Sequence, residues 1–407
     1  MTRVAVLGGG ITGVTTAYAL AKRGVDVTLI ERHRYAAMET SYANGGQLSA
    51  SHAEVWNHKA TILNALKWMA RRDAPLLLHP WPSWHKLSWF AQFLAAMPAY
   101  ERNTIATARL AIAARAHLFA WAQEEHIDFD HRRAGILHVY RDRRGFERAA
   151  GVSRLLAQGG LERRAVTRQE MRAIEPTLQG DFYGGYYTDS DSTGDIHKFT
   201  SGLADACVRL GVACRYGAQV TALAREHGKV LISVGVGEDS SVFDAVVICA
   251  GTASRAMAAM LGDHVNVYPV KGYSITVQLD DAASRAAAPK VSLLDDATKL
   301  VSSRLGEDRL RVAGTAEFNG FNDDIRADRI RPLVRWVEQC FPGVNTRKVI
   351  PWAGLRPMLP DMLPKVGPGK APGVYYNTGH GHLGWTLAAA TAEMVAEVLL
   401  SSSAANR

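Results

Sequence analysis

Residues 3–31 read RVAVLGGGITGVTTAYALAKRGVDVTLIE, and this stretch decides the fold. Val4, Ala5, Val6 and Leu7 form a short apolar run of the kind a buried parallel strand needs. Gly8, Gly10 and Gly13 follow in the spacing G-x-G-x-x-G. Ala17, Leu20 and Ala21 then lie at helical spacing, and Gly24 closes the helix. Residues 25–30 read as a second strand ending at Glu31. The first glycine allows the tight strand-to-helix turn, the second lets a pyrophosphate approach, and the third lets helix and strand pack closely. Ile11 and Thr12 open a helix whose free N–H groups and dipole face the phosphates. Glu31, 18 residues beyond Gly13, stands where an acid accepts hydrogen bonds from a ribose. A glycine turn alone is common. The strand before it, the helix after it and the terminal acid point to a dinucleotide.

A chain of 407 residues is long for one core, so two domains are expected, discontinuous in sequence. With 47% hydrophobic and 21% charged residues it reads as globular. The net charge of +8 raises the question of nucleic acid. The basic clusters, such as Arg71-Arg72 and Arg163-Arg164, are short and interleaved with acidic pairs such as Glu124-Glu125 and Asp280-Asp281. No block tracks phosphates, which argues against nucleic acid and for an anionic substrate or an anionic membrane surface. Cys207, Cys214, Cys249 and Cys340 have neither metal-ligand nor C-x-x-C spacing, so no metal site is expected and the thiols read as reduced. The chain starts directly in a strand and has no run of 18 apolar residues. That predicts a cytoplasmic protein without a spanning helix.

The loop at 32–56 holds Ser41, Asn44, Gly45, Gly46 and Gln47, with His52 near its end; its length favours a ligand-binding role. Residues 56–100 carry five of nine tryptophans, Trp56, Trp68, Trp81, Trp84 and Trp89, among Lys59, Lys67, Arg71, Arg72 and Lys86. A helical pair packed on a second domain is the plain reading, and a membrane-surface patch is the other. Helices are predicted at 101–127, 146–158 and 166–174 and a strand at 135–140, making 85–160 look like a separate insert. Another strand is predicted at 182–187. Asp195 is placed to cap a helix at 197–210. Strands follow at 212–216 and 228–236, with Val220 between them beside an adenine. Residues 244–251 form a buried strand returning to the dinucleotide at Ala250-Gly251. An antiparallel series is predicted at 265–273, 273–279, 299–303 and 309–314, then a helix at 330–340.

Arg356 precedes Pro357, which biases it to an extended backbone. A fixed guanidinium there suits a planar carboxylate. A second glycine-rich turn, residues 378–386, opens the last helix and could serve the far end of a large cofactor.

Five ordered motifs now agree: GGGITG at 8–13, METSYANGGQLS at 38–49, PVKGYS at 269–274, GLRPMLPD at 354–361 and NTGHGHLGWT at 377–386. Together they resemble the FAD-dependent D-amino acid dehydrogenases of the small-subunit type, relatives of glycine oxidase and D-amino acid oxidase. The resemblance implies an α/β fold, a Rossmann-like FAD-binding domain with a discontinuous α+β substrate domain containing an antiparallel sheet. It gives 1–84, 161–264 and 345–407 to the FAD domain and 85–160 and 265–344 to the cap. It implies noncovalent FAD and oxidation of a D-amino acid to an imine, which water hydrolyses to a 2-oxo acid and ammonia. Gly8, Gly10, Ile11, Thr12, Gly13, Glu31 and Arg32 would hold the adenosine and pyrophosphate end, with Val220, Ala250 and Gly251 nearby. Ser41, Asn44, Gly45, Gly46, Gln47 and Leu48 would line the middle. Gly354, Gly381, His382, Leu383, Gly384, Trp385 and Thr386 would approach the isoalloxazine. Arg356, Tyr273, His52 and His382 would form the substrate pocket.

No residue is required as a base, because hydride can pass from Cα to flavin once the amine is neutral; the histidines then shape the pocket. The resemblance implies a quinone or other non-oxygen acceptor and, with it, peripheral contact with the inner membrane. The alternative is an amino acid oxidase of the glycine, sarcosine or D-proline type that uses oxygen. A nicotinamide dehydrogenase would share only the first motif. A flavoprotein acting on RNA would need a phosphate-tracking surface, and a flavin-binding partner subunit would not turn over amino acids. Departures from the commonest pattern, Asn44-Gly45-Gly46, His382 and Asp361-Met362-Leu363-Pro364-Lys365, lie by the expected substrate pocket and leave the amino acid open.

Overall fold

The computed structural model describes residues 2–59, 61–62, 74–235 and 240–405. Its first layer is a six-stranded sheet in the order Lys365–Pro368, Val374–Thr378, Ala245–Ile248, Arg3–Leu7, Asp26–Ile30, Ala213–Arg215. All neighbours are parallel except the outermost pair. Side-chain alternation splits the first strand between two cores. Val4 and Val6 pack with the helices Ile11–Ala21, Ile196–Arg209 and Gly384–Ala405. Ala5 and Leu7 pack with Val230, Ile232 and Phe243 of a three-stranded antiparallel sheet.

A second, larger sheet runs Val349–Met358, Tyr268–Gln278, Arg309–Phe318, Leu300–Leu305, Ser292–Asp295, Ile136–Tyr140, Gly184–Thr188, Arg164–Thr167. One face is covered by the helix Ala327–Cys340, with Tyr273, Ile275 and Val277 packed on Leu333, Trp336 and Val337. The other face is stitched to the 43–45 loop. Ser274 Oγ donates to the Ala43 carbonyl at 2.7 Å, Ser303 Oγ to Gly45 at 2.7 Å, and Arg311 Nη1 to Asn44 at 3.0 Å. Asp195 caps its helix as expected, accepting from His197 and Lys198 backbone N–H groups, and it also pairs with Arg309.

Several sequence expectations are corrected. The helix expected at 166–174 is a strand, Arg164–Thr167, followed by the helix Arg168–Ile174, with Thr167 forming a capping box with Glu170. The two strands expected at 265–279 are one, Tyr268–Gln278. Gly184–Thr188, Arg164–Thr167 and Val349–Met358 lie on segments given to the FAD domain, yet they pair in the second sheet. Conversely the helix Tyr100–Glu124, read as part of an insert, sends Ala114, Leu118 and Trp121 into the core of the first layer. The tryptophans divide. Trp89 is buried with Nε1 donating to the Met358 carbonyl at 2.9 Å, whereas Trp81 and Trp84 are 75% and 88% exposed. Lys86 is turned inward onto the His79 and Trp81 carbonyls. Lys67, Trp68, Arg71 and Arg72 lie outside the described residues. Among the described residues one helical stretch, Gly381–Ser402, is long and apolar enough to cross a membrane, and 67% of its 18-residue apolar window is buried inside the protein.

Candidate active site

One cavity of about 1140 Å³ lies between the two sheets. That exceeds the ~300–1,000 Å³ usual for one small ligand and leaves room for a dinucleotide plus a substrate. At one end stand Gly8, Gly10, Ile11, Thr12, Glu31 and Arg32, with Val220, Ala250 and Gly251 beside them. A Cβ at Gly13 would overlap the Gly8 carbonyl oxygen, and Gly8 itself adopts φ +108. Gly13 therefore closes the turn by packing and does not face the cavity. The helix Ile11–Ala21 begins with no side-chain cap on Gly10 and no acid in its first turn, which leaves its dipole end to a ligand. Ser41 Oγ accepts from Ile11 N at 3.0 Å. Glu31 accepts from Gly9 N at 2.5 Å and His33 N at 2.7 Å, so its carboxylate is held rigidly at the cavity edge. Arg32 is paired with Glu39.

The middle of the cavity is walled by Asn44, Gly45, Gly46 and Gln47. Asn44 Oδ1 accepts from Gly46 N at 2.9 Å, which fixes the turn, and the Gln47 amide is committed to Ser292 Oγ at 2.8 Å. Leu48 does not line the cavity; its side chain is in the core beneath. Beyond this stretch the C-terminal glycine turn brings Gly381, His382, Leu383, Gly384, Trp385 and Thr386 to the same space, together with Gly354. This turn is a second helix start facing the cavity.

Arg356 lies at the far end. Its Nη1 donates to the Thr315 carbonyl at 2.8 Å, and no carboxylate pairs with it among the described residues. Burial alone pulls its pKa down to about 10, so it remains a cation at neutral pH and lacks a counter-ion. Thr315, at φ +62, sits in a register irregularity between the strands Tyr268–Gln278 and Arg309–Phe318; this bulge turns its carbonyl to Arg356. Tyr273 is part of the cavity wall, but its ring belongs to the core on the opposite face and its hydroxyl donates to Glu317 Oε2 at 3.1 Å, which corrects the expectation that it contacts the substrate.

His52 and His382 meet with ring centroids 4.8 Å apart, and Trp56 stacks on His382 at 5.1 Å. His382 Nε2 donates to the His52 carbonyl at 3.3 Å, which leaves Nδ1 without the proton. Burial lowers the His382 pKa to about 4 and also lowers that of His52, with neighbouring His382 and Lys299 adding to it. Both rings are neutral at physiological pH. Sequence reasoning missed His138, whose Nε2 meets Ser51 Oγ at 2.9 Å and whose ring lies 6.3 Å from His52. It also missed Asp191, which accepts from Ala50 and Ser51 backbone N–H groups at 3.0 Å and so anchors the His52 turn. A polar residue inside the apolar run at 136–140 was the available signal for His138.

The family model described as FAD dependent oxidoreductase matches residues 3–398. The chain belongs to the FAD-dependent oxidoreductase family. It is 60% identical over 400 residues to D-amino acid dehydrogenase 3 of Mesorhizobium japonicum, covering 98% of this chain and 97% of that one. To the D-amino acid dehydrogenase of Dechloromonas aromatica it is 41% identical over 408 residues, covering 98% and 96%. Among solved structures it is similar to glycine oxidase from Geobacillus kaustophilus, with TM-score 0.78, 20% identity and coverage of 98% and 95%; at that identity the likeness shows the fold. The cofactor of the family is FAD. The residues present fit it: a glycine cradle, a helix start with no acid in its first turn, a fixed carboxylate at one end and a second helix start further along.

Proposed function

We propose that this FAD-dependent oxidoreductase performs the oxidative deamination of D-amino acids, giving 2-oxo acids and ammonia through an imine. The observation that carries the reading is Arg356, a half-buried guanidinium with no carboxylate partner among the described residues, in the same cavity as the two glycine turns. The relatives named D-amino acid dehydrogenase, matched along their whole length, support it. FAD, when bound, takes up the electron pair that leaves the substrate Cα–H bond. Glu31 and the Gly8–Gly10 turn would hold its adenosine and pyrophosphate, and the 44–47 and 381–386 segments its remainder.

Arg356 anchors the substrate carboxylate and so fixes which face of Cα is presented. His52 and His382, neutral and packed by Trp56, exclude water and disfavour a cationic amine; neither is needed as a base. For the acceptor, a quinone or similar non-oxygen oxidant is the reading. Exposed Trp81 and Trp84 support a peripheral membrane contact for a cytoplasmic enzyme. The alternative remains an oxygen-using oxidase. Turnover of D-alanine with an artificial dye should release 2-oxo acid and ammonia in equal amounts and form little peroxide in air. Rapid peroxide formation, with no binding to anionic vesicles at low salt, would establish the oxidase instead.

A further inference from the structure

The cavity continues past the histidines into a recess that substrate oxidation at Cα does not use. His138 and Tyr140 are alternate residues of the strand Ile136–Tyr140, so both side chains leave the same face, about 7 Å apart along the strand. His138 joins the His52 cluster and Tyr140 leads away from it. At the outer end stands Arg163. Its guanidinium lies 5.0 Å from the Tyr186 ring centroid, and its Nη2 donates to the Tyr140 hydroxyl at 3.2 Å. Its Nε is buried without a hydrogen-bond partner, and no carboxylate pairs with Arg163 among the described residues.

Tyr140 is a neutral donor, its phenol pushed up to about 12 chiefly by burial. Because its oxygen already accepts from Arg163, its O–H is left to donate elsewhere. The neighbouring acids are engaged or outside. Glu54 accepts from the Tyr100 hydroxyl at 2.6 Å, Asp296 pairs with Lys299 at 2.5 Å, and Glu101 is exposed. The recess thus offers a guanidinium and a phenol to an anion; Glu54 and Asp296 act on Tyr140 from nearby, each already tied to a partner of its own.

We propose that this recess binds the anionic end of an acidic side chain, making D-amino acids with a second carboxylate the preferred substrate class. The inference rests on the D-amino acid reading above. Arg356 takes the α-carboxylate, and Arg163 with Tyr140 takes the distal one. A neutral side chain leaves the Arg163 N–H groups unmatched, and a basic one meets Arg163 and Lys299 as like charges.

The test compares kcat/KM for D-glutamate, D-aspartate, D-glutamine and D-alanine in the holoenzyme and in Arg163→Gln and Arg163→Lys. The wild-type enzyme should prefer D-glutamate to D-glutamine by about 10–100-fold, the range a charge-assisted pair supplies. Arg163→Gln should bring that ratio close to one, and Arg163→Lys should retain part of it. If Arg163→Gln loses FAD, Tyr140→Phe and the wild-type ratio carry the test, with the ratio reduced in the variant. A wild-type ratio near or below one overturns the inference while leaving the D-amino acid reading intact. So does a ratio unmoved by Arg163→Gln at normal flavin content. No turnover of any of the four overturns both.

Discussion

The guanidinium of Arg356, whose cross-strand partner is Val270, reaches diagonally over Gly272, so closely that a Cβ at position 272 would overlap it. Glycine is needed there for what passes over it, since its own backbone is ordinary extended strand. The atoms in the way belong to a flexible side chain, so Gly272→Ala should displace Arg356 and leave the sheet intact. We expect Tm to hold within a few degrees while KM for the amino acid rises about tenfold or more. A normal KM in Gly272→Ala would mean that Arg356 binds nothing.

Arg356→Lys keeps the charge but loses the planar fork, and it should cost about 2–3 kcal/mol in kcat/KM. Arg356→Ala should cost at least as much. Flavin content should be unchanged in both, as Arg356 stands at the end of the cavity remote from the Gly8–Gly10 turn.

Gly13→Ala would force the first helix away from the Gly8 carbonyl. That backbone contact cannot yield as a side chain can. The variant should purify with little FAD and a lower Tm, read from flavin absorbance per protein and a thermal melt.

Acid should destabilise the enzyme through its buried histidines. His380, hydrogen-bonded to Thr391 at 2.9 Å, has its pKa lowered to about 3 by burial, and His382 to about 4. In the unfolded chain both titrate near 6.5. Between those values the unfolded chain binds protons that the folded one does not. Stability is therefore constant in these groups above about pH 6.5 and falls as pH drops toward 3–4, by up to about 1.4 kcal/mol per pH unit for each. His380→Gln should flatten the dependence of Tm on pH between 6.5 and 4.5.

The first βαβ unit was readable because its signals are local: an apolar strand, three spaced glycines and an acid. The second glycine turn and Arg356 before Pro357 were readable for the same reason. Sheet membership was not. Arg164–Thr167 and Gly184–Thr188 are short, and their partners, like those of the longer Val349–Met358, are set by long-range pairing that no local pattern carries. Tyr273 was misread because the motif does not say which face it takes: by alternation it shares the face of Ile275 and Val277 under the helix, while Ser274 faces the 43–45 loop. Tyr140 and Arg163 meet only because the Arg164–Thr167 strand returns beside Gly184–Thr188, which in turn pairs with Ile136–Tyr140. The tryptophans at 56–89 looked alike in sequence, yet Trp89 fills a core, Trp56 packs on His382, and Trp81 and Trp84 face out.

The most direct test is anaerobic mixing of the holoenzyme with matched D- and L-amino acids while flavin absorbance is followed. D-amino acids should bleach the flavin and their L-counterparts should not, and Arg356→Ala should slow the bleaching without changing flavin content. Equal or faster bleaching by L-amino acids, or none by any amino acid from a flavin that dithionite reduces normally, would contradict the account.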